Sequence, residues 1–364
     1  MKNIIVGFLL LLTLLQSSNT YAHDADPKIT FLVKSSSTSV FQTTLTVESR
    51  DLTNNILHYE LGKKVSVLPI AGNYILLEEN GGMVRSFLMD EMGNFYDLEK
   101  KQVVNFSPET VKKIRGYFKG LHGNHFGELV EWETGETLLP RYSEFKVTDL
   151  ETGLSFNAQR RAGSNHADVQ PLTKEDTAIM KEIYDGTWSW KRRAVVVHFE
   201  EEHIAASMHG MPHGAGALAN GFPGHFCIHL MGSRTHTTGK EDLSHQVMVH
   251  KAGGELTEFV RGLEAEEVAK LFFIALNQND MDLFQQIYVG DAQEFRPIVE
   301  SVESVRILEH SSPSAEGSFV YEAPVTYIVK QQGRPEINDV FTLEIVRESL
   351  MSPWKLVNVP FNNW

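Results

Sequence analysis

The only cysteine of the chain, Cys227, lies between two histidines in the segment 224–229. Because side chains alternate between the faces of a strand, a strand here places His225, Cys227 and His229 on one face and Phe226 and Ile228 on the other. An imidazole beside a thiol can lower its pKa or accept its proton, and the resulting thiolate is a nucleophile. We therefore expect a reactive cysteine here, on a strand that is anchored by its apolar face.

Histidines and glycines are concentrated around this cysteine. Nine of the fifteen histidines lie between residues 198 and 250, and His166 precedes them. The segment 210–224 contains five glycines and two prolines, which predicts a loop with unusual backbone dihedrals or a close approach to a ligand. Such a loop between two strands can return the chain beside Cys227 and bring His209 or His213 to the thiol as a general base.

A metal site is the competing interpretation of the same residues. Imidazole and thiolate ligands suit zinc or copper, and the candidate ligands are His213, His225, Cys227 and His229. Alternate residues of one strand lie about 6.5–7 Å apart, so their side chains would have to converge on the ion. No His-Glu-x-x-His motif is present in the sequence. We expect no cofactor, with zinc or copper as the alternative.

The segment resembles the L,D-transpeptidase family, the cysteine enzymes that crosslink peptidoglycan stem peptides. The family signature is a histidine followed, at a set spacing, by Ser/Thr-His-Gly-Cys, an apolar residue and Arg or Asn. Fourteen residues separate His209 from Gly224, which fits that spacing, whereas the interval from His213 is shorter. The Pro and Gly residues on either side of His213 favour it on local grounds, so both histidines stay candidates.

The resemblance implies roles for individual residues. Cys227 is the acylated nucleophile, His209 or His213 the base, the carbonyl of Gly210 or Gly214 the group that orients the base, and His225 the neighbour of the nucleophile. Three positions carry other residues than the signature: Gly224 for the hydroxyl residue, Phe226 for glycine, and His229 for Arg or Asn. We expect the substrate to contact Gly214, Gly224, His229, Arg234, His236 and His245.

Composition divides the rest of the chain into zones that predict a multidomain, mainly β protein with α+β parts. Residues 23–150 predict a small all-β module that resembles SH3-like domains, with strands that include 65–68 and one helix over 107–119. The resemblance implies that residues 151–262 form an L,D-transpeptidase-like catalytic domain. Residues 263–364 predict helices followed by strands, which resembles the cone-shaped α+β fold of the nuclear-transport-factor-like superfamily and suggests an accessory domain.

The first 22 residues are typical of a signal peptide. Lys2 is followed by the apolar run 4–15 and by Thr20-Tyr21-Ala22, a small-x-small cleavage site. No later stretch approaches the ~20 apolar residues that a transmembrane helix needs. We therefore expect a secreted protein in the cell wall, the periplasm or the medium, without a membrane span.

The formal net charge of −14 disfavours nucleic acid and anionic lipid as partners. In an exported protein a lone cysteine is a buried apolar residue, an intermolecular crosslink or a reactive thiol, and its histidine neighbours favour the last. We predict an L,D-transpeptidase or L,D-carboxypeptidase that acts on peptidoglycan stem peptides through a thioester. The alternative is a non-catalytic cell-wall-binding or metal-binding protein. The sequence does not specify an oligomeric state.

Overall fold

The computed structural model describes residues 27–79, 82–236, 238–310 and 319–364. The predicted signal peptide, 1–22, lies outside the described residues. Three β-sheets organise the described part: a seven-stranded sheet, a closed six-stranded barrel and a four-stranded sheet. The mainly β, multidomain class predicted from composition is confirmed at this coarse level.

The N-terminal sheet has the strand order β2-β1-β4-β5-β6-β7-β3. Its strands are β1 Lys28–Val33, β2 Thr43–Glu48, β3 Glu60–Lys64, β4 Asn73–Glu79, β5 Gly82–Met89, β6 Phe95–Asp97 and β7 Gln102–Asn105. The predicted strand over 65–68 is wrong, because those residues are bend and coil. A core that includes Phe31, Ile75 and Phe87 packs this sheet against helix 108–125.

Helices α1 Arg50–Leu57 and α2 Pro108–His125 accompany this sheet, whereas the following helix α3 Trp132–Leu138 packs on the barrel core through Trp132. The predicted helix at 107–119 is confirmed as α2, since the Ser107 side chain caps the backbone N–H of Thr110 and Pro108 occupies the first turn. Helices α1 and α3 were not predicted. Both are short, and α1 is held by burial of Leu52 and Ile56 rather than by strong helix formers.

The barrel closes in the strand order β10-β13-β12-β11-β8-β9. Its strands are β8 Glu144–Asp149, β9 Ser155–Ala162, β10 Ala167–Pro171, β11 Arg192–Phe199, β12 Glu202–His209 and β13 Phe226–His229. Strand β8 places the start of the barrel before residue 150, the boundary expected from composition. Helix α4, Lys174–Ile183, begins with a capping box between Thr173 and Asp176.

The C-terminal part packs against the outside of the barrel. Helices α5 Leu243–Ala252, α6 Leu256–Arg261, α7 Ala265–Gln278, α8 Met281–Ile287 and α9 Arg296–Ser301 precede strands β14 Val302–His310, β15 Val320–Gln331, β16 Ile337–Val346 and β17 Lys355–Leu356. Outward side chains of the barrel, Ala194, Val196 and Ala205, join the core of these elements. In the described residues, no helix is long and apolar enough to cross a membrane.

Strand alternation separates the barrel core from a polar outer face. Val169, Phe226 and Met208, on the adjacent strands β10, β13 and β12, point into the barrel core. Their sequence neighbours point outward, and the antiparallel register pairs Asp168 with Cys227 and Ser207 with His229. The outer face of these three strands therefore carries the ionisable residues, with α5 packed beside them.

Candidate functional site

The thiol of Cys227 lies beside the imidazole of His213. The distance from Cys227 Sγ to His213 Nε2 is 3.3 Å, within reach of a sulfur hydrogen bond. Cys227 sits on β13 and is only 4% exposed, while His213 is half-buried in the loop that precedes the strand. Of the two histidines that the sequence left open, His213 is the one that contacts the thiol.

Two glycines allow the loop to approach the strand so closely. His213 and His225 exchange both backbone hydrogen bonds, N to O, at 3.0 and 2.9 Å. Gly214 and Gly224 flank this bridge with φ of +59° and +127°, and a Cβ on Gly224 would lie 2.4 Å from the His213 carbonyl oxygen. A side chain at either position would push His213 away from the thiol. Both glycines therefore shape the site through the backbone.

The carbonyl that orients His213 is that of Met211, and not that of Gly210 or Gly214. His213 Nδ1 lies 3.2 Å from Met211 O, so Nδ1 donates the hydrogen bond and Nε2 presents its lone pair to Cys227. Burial lowers the pKa of His213, and the bond to Met211 opposes this shift. His213 is consequently neutral near pH 7 and able to accept a proton.

The thiol itself is protonated at rest. Burial raises the pKa of Cys227 above its ordinary value, and the negative charge of Asp168 raises it further. Phe226, which stands where the family signature has glycine, is fully buried in the barrel core on the opposite face of β13. Its bulk therefore does not lie between Cys227 and His213.

His209 lies at the end of β12, behind His213. It is 3% exposed, and its ring centroid is 5.2 Å from that of His213. The half-exposed Trp190 ring covers the pair, at 4.7 Å from His209 and 5.7 Å from His213. Burial lowers the pKa of His209 strongly, and the positive charge of Arg192 adds to the shift. His209 is therefore uncharged and forms one side of the cluster.

One carboxylate oxygen, Asp168 Oδ1, lies close to four other polar groups of the cluster. Asp168 Oδ1 lies 3.3 Å from His236 Nε2, 3.4 Å from His166 Nε2, 3.7 Å from His225 Nε2 and 3.9 Å from Cys227 Sγ. Burial opposes ionisation of Asp168. The nearby imidazoles of His166, His236 and His225 outweigh it and lower the pKa of Asp168 to about 2.

Three imidazoles form a stack behind Cys227. The His229 ring is 3.7 Å from His245 and 4.4 Å from His166, with interplanar angles of 6° and 12°. His245 Nδ1 bonds Ser207 Oγ at 2.9 Å, which fixes the ring against β12. Burial lowers the pKa of His229 and His245 well below the ordinary range, so both rings are neutral.

The residues expected to contact substrate lie at different depths. Gly214, Arg234 and His236 are exposed, whereas Gly224, His229 and His245 are buried. Arg234 contributes its backbone carbonyl, which accepts a 2.7 Å hydrogen bond from His166 Nδ1. The exposed residues are therefore accessible to a substrate, whereas the buried ones are not.

Ligand atoms suited to a metal ion lie within 4.8 Å of one another in four groups of described residues. They are His166/Cys227/His229, His209/His213/Cys227, His166/Asp168/His236 and Asp168/His225/Cys227. The four ligands expected from the sequence, His213, His225, Cys227 and His229, are thus divided among three groups. The group His166/Asp168/His236 does not use the thiol.

His166 and Asp168 were not singled out from the sequence, although both are central to the site. They lie two residues apart in the alternating stretch His166-Ala167-Asp168-Val169 at the start of β10. A polar, apolar, polar, apolar pattern with two ionisable members is the signal that could have identified them.

No family model, no curated protein and no solved structure matches this chain.

Proposed function

We propose that this chain is a cysteine acyltransferase of the L,D-transpeptidase or L,D-carboxypeptidase type that acts on peptidoglycan stem peptides. The observation that carries the proposal is the 3.3 Å separation of Cys227 Sγ and His213 Nε2, with His213 Nδ1 held by Met211 O. A nucleophile, a base and a group that orients the base are the three parts that acyl transfer through a thiol requires. The resemblance in segment 209–229 supplies the substrate class.

The reaction follows from the positions of these atoms. The proton of Cys227 passes to His213 Nε2 while Sγ forms a bond to the carbonyl carbon of the scissile amide. Collapse of the tetrahedral intermediate breaks the carbon–nitrogen bond, and His213 returns the proton to the departing amine. The thioester is then released by an acceptor amine, which gives a crosslink, or by water, which gives hydrolysis. Either acceptor passes its proton to His213, which restores the thiol.

The electrostatics of the site favour general-base catalysis over a preformed thiolate. Burial and Asp168 keep the thiol protonated, and burial keeps His213 neutral. The two groups therefore rest as a neutral pair, and charge separates only as the substrate carbonyl is attacked. The exposed Gly214 and His236 and the partly exposed His225 lie on the side from which a peptide approaches.

The rest of the chain fits an exported wall enzyme. We propose that segment 1–22 directs secretion, and the acidic surface disfavours nucleic acid as a competing ligand. The N-terminal sheet, as an SH3-like module, and the C-terminal helices and sheet, as a cone-shaped domain of the nuclear-transport-factor type, would serve as accessory domains.

The test is turnover of a synthetic tetrapeptide stem, followed by mass spectrometry with and without an acceptor amine. We expect the full mature chain to release the terminal amino acid, and Cys227→Ser and His213→Gln to release none above background. His203→Gln is the matched control, since His203 is an exposed histidine near the other end of β12. It should retain full activity.

Two results would contradict the proposal. One is the absence of turnover and of any covalent intermediate in a folded wild-type protein. The other is turnover that survives Cys227→Ser, since the chain has no second thiol.

A further inference from the structure

We propose that His166, Asp168 and His236 form a binding site for a divalent transition-metal ion of the zinc type. Two imidazole nitrogens and a carboxylate oxygen are a common ligand set for Zn²⁺ with one position left open. The site adjoins the Cys227–His213 pair but shares neither residue with it. The inference therefore does not depend on the acyl-transfer proposal.

The distances between the ligand atoms match those of a metal site. Asp168 Oδ1 is 3.4 Å from His166 Nε2 and 3.3 Å from His236 Nε2, and all three atoms lie within 4.8 Å of one another. Zinc–nitrogen and zinc–oxygen bonds of about 2.0–2.1 Å at tetrahedral angles place neighbouring ligand atoms about 3.3 Å apart. An ion can thus be seated between these atoms without moving the strands.

His166 has a buried ring nitrogen without a hydrogen-bond partner. Its ring is 2% exposed, and Nδ1 lies 2.7 Å from the carbonyl oxygen of Arg234, an acceptor, so Nδ1 carries the proton. Nε2 is then buried with a free lone pair and has no hydrogen-bond partner of acceptable geometry. The atom it faces, Asp168 Oδ1, is itself an acceptor, and two lone pairs at 3.4 Å repel each other unless a cation lies between them.

The surroundings of His166 are those of a metal-ligating histidine. Such histidines typically donate their second nitrogen to a carbonyl or carboxylate, which fixes the tautomer and the ring orientation. Arg234 O does so here, and the stack with His229 holds the ring plane at an interplanar angle of 12°. His236 is half-exposed, so the ion can enter from solvent on that side.

The alternative arrangement is a doubly protonated His166 in an ion pair with Asp168. It satisfies the same distances without any metal, since an imidazolium donates from both nitrogens. The two arrangements differ in proton release, because zinc must displace one proton from an ion-paired His166 and none from the neutral ring.

The test is isothermal titration of the full mature chain with ZnCl₂ after treatment with a chelator and dialysis. We expect one saturable site per chain. Binding should weaken by at least about tenfold in His236→Gln and in His166→Gln. His203→Gln is the matched control and should bind like the wild type. His236→Gln changes a half-exposed side chain, so it keeps the test decisive should His166→Gln fail to fold.

The readout is separate from that of the acyl transfer. Cys227→Ser should retain zinc binding within about threefold, a shift below 1 kcal/mol. Co²⁺ in place of zinc should give the visible absorption of a four-coordinate site in the wild type and lose it in His236→Gln. The proposal is overturned by the absence of stoichiometric binding, by unchanged binding in His236→Gln, or by loss of binding in Cys227→Ser alone.

Discussion

Asp168 lies directly opposite Cys227 on the neighbouring strand, and its Oδ1 is 3.9 Å from the thiol Sγ. The same strand pairing turns Val169 and Phe226 together into the barrel core. The register between β10 and β13 thus places the ionisable residues on one face of the sheet and the core residues on the other. A slip by one residue would exchange the two faces, so the barrel core specifies which groups meet at the site.

The two faces of β13 should differ sharply in their contribution to stability. Phe226→Ala removes a fully buried ring from the barrel core and should lower the free energy of unfolding by about 3–5 kcal/mol. Cys227→Ser keeps the size and the polar surroundings and should change it by less than about 1 kcal/mol. Urea denaturation of both variants measures the difference. Equal losses would mean that the thiol is a core residue rather than a site residue.

Gly224→Ala should weaken the site by distorting the backbone. The φ of +127° disfavours any side chain, and the new Cβ would lie 2.4 Å from the His213 carbonyl oxygen. We expect a loss of about 1–3 kcal/mol of stability and a strong loss of stem-peptide turnover. Gly239→Ala is the control, because Gly239 also has a positive φ, +64°, but no neighbour within 4 Å of the added Cβ. Full turnover in Gly224→Ala would show that the backbone at Gly224 does not determine the position of His213.

The hydrogen bond between Ser207 and His245 should contribute to stability through the ring stack. Ser207→Ala leaves the buried Nδ1 of His245 without its 2.9 Å partner, at a cost of about 1–3 kcal/mol. His245→Phe removes that nitrogen and keeps a flat ring against His229. A double-mutant cycle should therefore show coupling, with Ser207→Ala much less costly in the His245→Phe background. Additive losses would contradict the role assigned to this bond.

Acid should destabilise the protein in part through His125, far from the site. His125 is 2% exposed and bonds Thr43 Oγ1 at 2.9 Å. Burial, with a smaller effect of His122, lowers its pKa to about 4, so the folded state favours the neutral ring. Stability from this group is present above pH 6.5 and is lost as the pH falls toward 4.

His125→Gln removes this titration. The loss of unfolding free energy between pH 7 and pH 4.5 should be smaller in the variant than in the wild type by about 2 kcal/mol. Denaturation curves at the two pH values give the comparison, and His58→Gln, an exposed histidine, serves as control. The same pH dependence in His125→Gln and wild type would exclude His125 as a source of acid sensitivity.

The local part of the site could be predicted from the sequence. Alternation in segment 224–230 predicted a strand with Cys227 and Phe226 on opposite faces, and the structure confirms it. The helix predicted over 107–119 is confirmed for the same reason, since its start depends on Ser107 and Thr110, which lie three residues apart. Sequence patterns of this kind need no knowledge of distant contacts.

The rest of the site depends on contacts between distant parts of the chain. Asp168 meets Cys227 because β10 pairs with β13, and neither sequence segment specifies that pairing. The base stayed open between His209 and His213 because the path of a glycine-rich loop depends on φ values that many glycine sequences allow. The carbonyl of Met211 was missed because backbone acceptors leave no signal in residue types.

The most direct measurement is the mass of the intact protein after incubation with a carbapenem, a β-lactam whose ring carbonyl acylates reactive thiols. We expect one adduct per chain, located at Cys227, with none in Cys227→Ser and formation at least about 100-fold slower in His213→Gln. Equal rates in His213→Gln and wild type, or no adduct in folded wild-type protein, would contradict the claim that His213 activates Cys227.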